Sequence, residues 1–95
     1  MDVLVRGLIE RELDDALEQK TLSNMFILFK NMDPAVKATR NAVFGFIFGY
    51  MLGYFARCIR TLKKRKPSHD EWKEFENWFK RQSIRVNSEI SKHLP

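Results

Sequence analysis

Apolar residues recur at spacings of three and four through the first fifth of the chain: Leu4, Val5, Leu8, Ile9, Leu13, Ala16 and Leu17. Glu10, Arg11, Asp14, Asp15 and Glu18 fall largely opposite, so residues 2–19 predict an amphipathic helix. Thr21 to Asn24 offers a break with several capping residues. The run Met25-Phe26-Ile27-Leu28-Phe29 is too short to be typed by its period, since a buried strand has the same look. No second strand candidate exists to pair with it, and it reads as a short helix. Asp33-Pro34 then puts a capping side chain before a proline whose missing N–H costs nothing at a first helical position. A long helix is predicted from there to about Lys64, roughly 45 Å at 1.5 Å per residue. Pro67 stops it. Ser68 with Glu71 three residues on forms a capping box, and Asp70, Glu71 and Glu74 supply the acidic first turn of a last helix reaching about Leu94. Trp72, Phe75, Phe79, Val86 and Ile90 line its apolar face, which places Trp72 in the core and Trp78 toward the flank.

The expected fold is therefore all-α: a small helical bundle with three long helices plus one short helix, in a single domain over residues 1–95. So short a joint at Pro67 makes the long central helix and the C-terminal helix an antiparallel hairpin.

The central helix carries an unusual pattern. Gly45, Gly49 and Gly53 recur every fourth residue, and Ala38, Ala42 and Ala56 extend the seam. Three interior glycines cost on the order of 3 kcal/mol relative to alanine, so a compensating use is expected. The physical use of such a seam is close approach of another helix backbone. The rest of the surface from Ala42 to Ala56 is apolar all round, as in a central core helix or a membrane span. The uncharged stretch Asn41 to Ala56 covers about 24 Å, short of the roughly 30 Å hydrocarbon core, which favours a core helix over a span. One hairpin partner and one N-terminal helix cannot surround the middle of so long a helix. Self-association is expected, with Gly45, Gly49, Gly53, Phe48, Tyr50 and Phe55 as candidate interface residues.

Charge changes the picture further. The 17 Lys and Arg against 12 Asp and Glu give a net charge of +5, but unevenly. Residues 1–33 hold four basic and seven acidic side chains, residues 34–66 hold eight basic and none acidic, and residues 67–95 hold five of each. Arg57, Arg60, Lys63, Lys64, Arg65 and Lys66 put six positive charges into ten residues, a candidate site for the phosphate backbone of DNA or RNA. Lys80, Arg81 and Arg85 join such a patch only if the last helix curls toward it; in an antiparallel hairpin they lie nearer the middle of the long helix. Lys63 to Pro67 also resembles a nuclear localisation tetrad, relevant only in a eukaryote.

Little suggests chemistry. Cys58 is the lone cysteine, so no intrachain disulfide forms, and with two histidines no Cys/His zinc cage is built. Ser68-His69-Asp70 has the letters of a catalytic triad, but neighbours at a helix start diverge and capping accounts for Ser68 and Asp70. The glycines lie within a helix pattern with no preceding strand, so no phosphate-cradling loop is present. No cofactor is implied and no enzyme is expected. The opening residues lack a basic segment before an apolar stretch, which with the free thiol points to an intracellular, cytoplasmic setting.

The leading expectation is a non-enzymatic basic accessory or adaptor protein of a nucleic-acid-handling complex, gripping phosphates through the basic helix end and self-associating through an apolar helix face. The alternative is a pure protein–protein interaction or homo-oligomerisation module; the third is a small membrane-associated protein.

Overall fold

The computed structural model describes residues 1–94. Four helices follow one another: α1 (Val3–Ala16), α2 (Gln19–Asn31), α3 (Arg40–Lys63) and α4 (His69–Ser91), with no strand among the described residues. The chain is a small all-α bundle. Asp2 caps α1 through its carboxylate, which accepts the backbone N–H of Leu4 at 2.9 Å and of Val5 at 3.1 Å.

Two boundaries differ from the pattern's prediction. The break between the first two helices falls at Leu17–Glu18, not at Thr21–Asn24, which lies inside α2. Leu17 and Leu22 both enter the core, and the chain must bend between them to bury both. The long helix also starts later than Pro34. Thr39 is its cap, with Oγ1 accepting the Ala42 N–H at 3.2 Å, while residues 32–36 form turns closed by bonds such as Val36 N–H to the Met32 carbonyl at 3.1 Å. Asp33-Pro34, joined by a cis peptide, is part of that turn region.

The other end is as expected. Lys64 adopts the left-handed conformation (φ 59°) and closes α3 with its N–H on the Arg60 carbonyl. Ser68 and Glu71 complete the capping box: Ser68 Oγ accepts the Glu71 N–H at 3.2 Å and Glu71 Oε1 accepts the Ser68 N–H at 2.8 Å. The two long helices then run antiparallel, which aromatic pairs record along their length. Phe55 meets Trp72 (5.6 Å between ring centroids) and Phe75 (4.9 Å), Phe48 meets Phe79 (5.1 Å), and Arg40 Nη2 donates to Ser91 Oγ at the far end (2.9 Å).

The core sits where α1 lies across the α3–α4 pair. Val5, Ile9 and Leu13 of α1 meet Val43, Ile47, Met51, Phe55 and Ile59 of α3 and Phe75, Trp78, Phe79, Val86 and Ile90 of α4. The tryptophans exchange their expected places. Trp78 is 1% exposed, whereas Trp72 is half-buried against Phe55 near the corner. α4 packs against two neighbours, α1 as well as α3, so its buried stripe widens to take in Trp78. The indole N–H of Trp78 finds no hydrogen-bond partner.

Candidate interaction surface

The buried residues of α3, Val43, Ile47, Met51, Phe55 and Ile59, form one row at four-residue steps. At 100° per residue, Gly45, Gly49 and Gly53 fall on the opposite side together with Phe46. That side is open. An added Cβ at any of the three glycines meets nothing within 4 Å, so the seam takes part in no close approach inside the chain. The long helix is thus not enclosed by its own domain: about 33% of its most apolar stretch is buried, and by length and composition it is long and apolar enough to cross a membrane.

Phe46 is 49% exposed and Tyr50 42%. Phe46 forms the ridge between two shallow apolar depressions. One is lined by Leu28, Phe29, Met32 and Val36; the other by Ala16, Thr21, Met25, Ile47 and Tyr50. Ile27 and Leu28 on α2 are likewise more than half exposed. Tyr50 is held from the α1 side by a hydrogen bond from its hydroxyl to Glu12, which raises the phenol above its ordinary range.

The candidate interface residues therefore divide. Gly45, Gly49 and Tyr50 are exposed on the open side and Gly53 stands half-buried beside them. Phe48 and Phe55 do not join them. Phe55 is 1% exposed and stacks on Phe75, and Phe48 packs on Phe75 and Phe79, so both are committed to the α3–α4 seam. Phe46 is a further exposed residue of the same face, as its spacing of three and seven from Gly49 and Gly53 requires.

The basic cluster occupies the α3–α4 corner, and its six members are exposed. They are not equivalent. Glu71 takes two of them: Lys63 Nζ lies 2.9 Å from Oε2, and Arg65 Nη1 2.6 Å from Oε1. Arg57 lies over the Tyr54 ring, 5.9 Å from its centroid. Among the described residues, Arg57, Arg60, Lys64 and Lys66 have no carboxylate within ion-pair distance. Lys80 and Arg85 stay apart from the corner, pairing with Glu76 (3.1 Å) and with Asp14 of α1 (2.6 Å).

The Arg65 guanidinium, then the Ser68 N–H and Lys63, hold the Glu71 carboxyl well below the usual carboxylate range. A depressed folded pKa contributes stability that is present above the unfolded value of about 4.3 and is lost as pH falls below it. Wild-type stability is expected to decline below about pH 4.3, and the Glu71→Gln chain to decline less steeply over the same window. Parallel acid slopes for the two chains in thermal melts would show that this carboxylate does not hold the corner.

Elsewhere the side chains have structural tasks. Burial pushes the Cys58 thiol up, with the Tyr54 hydroxyl and Arg57 opposing, so it is the neutral, apolar form that packs there. Ser68 Oγ is taken by its cap. Among the described residues no group of three or more His, Cys, Asp or Glu is placed to hold a metal ion.

Comparison with protein families, curated proteins and solved structures finds no match to this chain.

Proposed function

We propose that this chain is a non-enzymatic self-association module, whose docking face is the open side of α3. The observation that carries this reading is the bare glycine seam beside the exposed Phe46 ridge. A helix with three interior glycines bears a cost that nothing within the chain offsets, and it leaves large aromatic surface in water. Docking another helix on that strip removes the aromatic area from water and lets backbones approach closer than the usual 8–10 Å or so. Sedimentation velocity tests it with Phe46→Glu, which puts a charge on the ridge at the loss of the edge contact with Phe29 alone among the aromatic pairs. The variant is expected to sediment as a single chain at concentrations where the wild type is associated. Equal sedimentation of both would remove the ridge from the interface.

A second reading rests on the corner. Glu71 pairs with both Lys63 and Arg65, offsetting one of their two charges, but leaves Arg60, Lys64 and Lys66 exposed and unpaired, and these three are candidates for contact with the phosphate backbone of a nucleic acid. Three phosphate contacts imply an affinity that falls roughly 40-fold between about 50 and 200 mM salt. Replacing all three by alanine is expected to weaken binding about tenfold or more in fluorescence-anisotropy titration while leaving the Glu71 pairs in place. Unchanged affinity would rule the corner out. Replacing Lys63 and Arg65 as well is the poorer experiment, because it also dismantles the capping-box corner.

A further inference from the structure

We infer that the occupant of the open α3 face is a second copy of this chain, running antiparallel and centred on Gly49, with Arg57 of each copy meeting the acidic end of α1 in the other. This rests on the self-association proposed above and adds the orientation and the charged contacts.

The inference starts from how α1 lies along α3. Glu12 accepts from Tyr50, Ala16 and Thr21 border Phe46 and Ile47, and Asp2 shares a depression with Ile59 and Lys63. α1 is therefore antiparallel to α3, and its C-terminal end, with Asp15 and Glu18 exposed, stands beside the first turns of α3. Neither carboxylate has a cation within ion-pair distance among the described residues. At the other end of the same strip, Arg57 is exposed and equally unpaired, aimed back along the helix over Tyr54. Tyr54 and Tyr50 both lie toward α1, so the positive and the negative end belong to the same edge of the open face.

A two-fold axis lying in the contact plane and perpendicular to α3 turns that edge onto itself end for end. With the axis at Gly49, Gly45 of one copy lies over Gly53 of the other, so the bare seam coincides with its own image. Arg57 sits eight residues from the axis, level with residue 41 of the partner, and its guanidinium leans back about a turn. This brings it toward Glu18 and Asp15, which flank the early part of the partner's α3. The symmetry makes the contact twice. A parallel pair, whose two-fold axis runs along α3, would carry this edge to the opposite side of the partner with Arg57 and the acidic end kept at their own levels, so that neither Arg57 meets a carboxylate of the other copy and the charges go unused.

The test combines charge reversal with disulfide trapping. Arg57→Glu, and separately the pair Asp15→Arg with Glu18→Arg, are each expected to raise the dimer dissociation constant at least tenfold, and the three changes together to restore it. In a Cys58→Ala background, a mixture of Gly45→Cys chains and Gly53→Cys chains is expected to form the mixed disulfide, with neither chain alone forming a homodimer. The added side chains point into open space within each monomer, so folding is unaffected. Efficient Gly45→Cys homodimers would bring the two Gly45 positions together and overturn the inference. So would reversal at Arg57 without effect, or without rescue. If the wild-type chain does not associate at all, the proposed function fails and the orientation with it. Association that survives every charge reversal removes only the orientation.

Discussion

Replacing Phe55 by alanine is expected to destabilise the chain by about 3–5 kcal/mol, the largest stability effect of any single substitution considered. Phe55 is 1% exposed at the point where α3 meets the first turns of α4, between Trp72 and Phe75, and borders the depression next to Met1 and Asp2 of α1. Truncation loses the transfer free energy of the ring and leaves a cavity that rigid helices cannot close. A chain of this size holds total stability of about 5–15 kcal/mol, so the substitution removes a large share of it. Urea denaturation followed by far-ultraviolet circular dichroism measures the loss. Trp78→Phe provides the contrast, because it keeps an aromatic ring in the core and removes an indole N–H that has no partner. Its cost is expected to be well under half that of Phe55→Ala. A Phe55→Ala loss below about 1 kcal/mol would mean that the α3–α4 seam is not the centre of the core.

The second large effect falls on assembly and not on folding. Gly49→Leu is expected to abolish self-association while leaving the thermal midpoint of the monomer unchanged or raised. No atom stands within 4 Å of the new Cβ, and leucine is a better helix former than glycine by several tenths of a kcal/mol. The same side chain stands at the centre of the proposed helix–helix contact, where it separates backbones that the glycine lets approach. Stability and association thus move in opposite directions, which a merely damaged fold does not do. Gly49→Ala is expected to fall between, with association weakened and the helix strengthened. Light scattering and melting curves on the same samples separate the two readouts. A Gly49→Leu chain that keeps the wild-type mass would take the seam out of the interface.

How much of this was legible in the sequence depended on whether the deciding contact was local. The corner at Pro67 was readable because a capping box is built from two side chains three residues apart, and both bonds are present. The α1–α2 bend carried no such mark: Glu18 at the cap makes no side-chain cap bond, and no glycine or proline flags the turn. Asp33 and Thr39 are both capping residues, and sequence alone gives no ground for preferring the later one. The tryptophans depended on α4 having two neighbours, which no single helical face discloses. The same holds for the candidate surface. The glycine seam was evident from its spacing, but its direction was set by where α1 and α4 dock, and they dock on the other side. A helix apolar all round points Phe48 and Phe55 outward as readily as inward; packing against Phe75 and Phe79 assigns them to the core. The basic run was plain in the sequence, whereas its partial neutralisation required Glu71 to fold back onto Lys63 and Arg65.

The central claim is that the open face of α3 is covered by another copy of the chain, and the mass of the unaltered protein in solution addresses it most directly. Light scattering after size exclusion, over a range of loading concentrations, is expected to give twice 11.3 kDa at the upper end, falling toward 11.3 kDa on dilution. A mass of 11.3 kDa at every concentration, with the protein folded, would contradict the account.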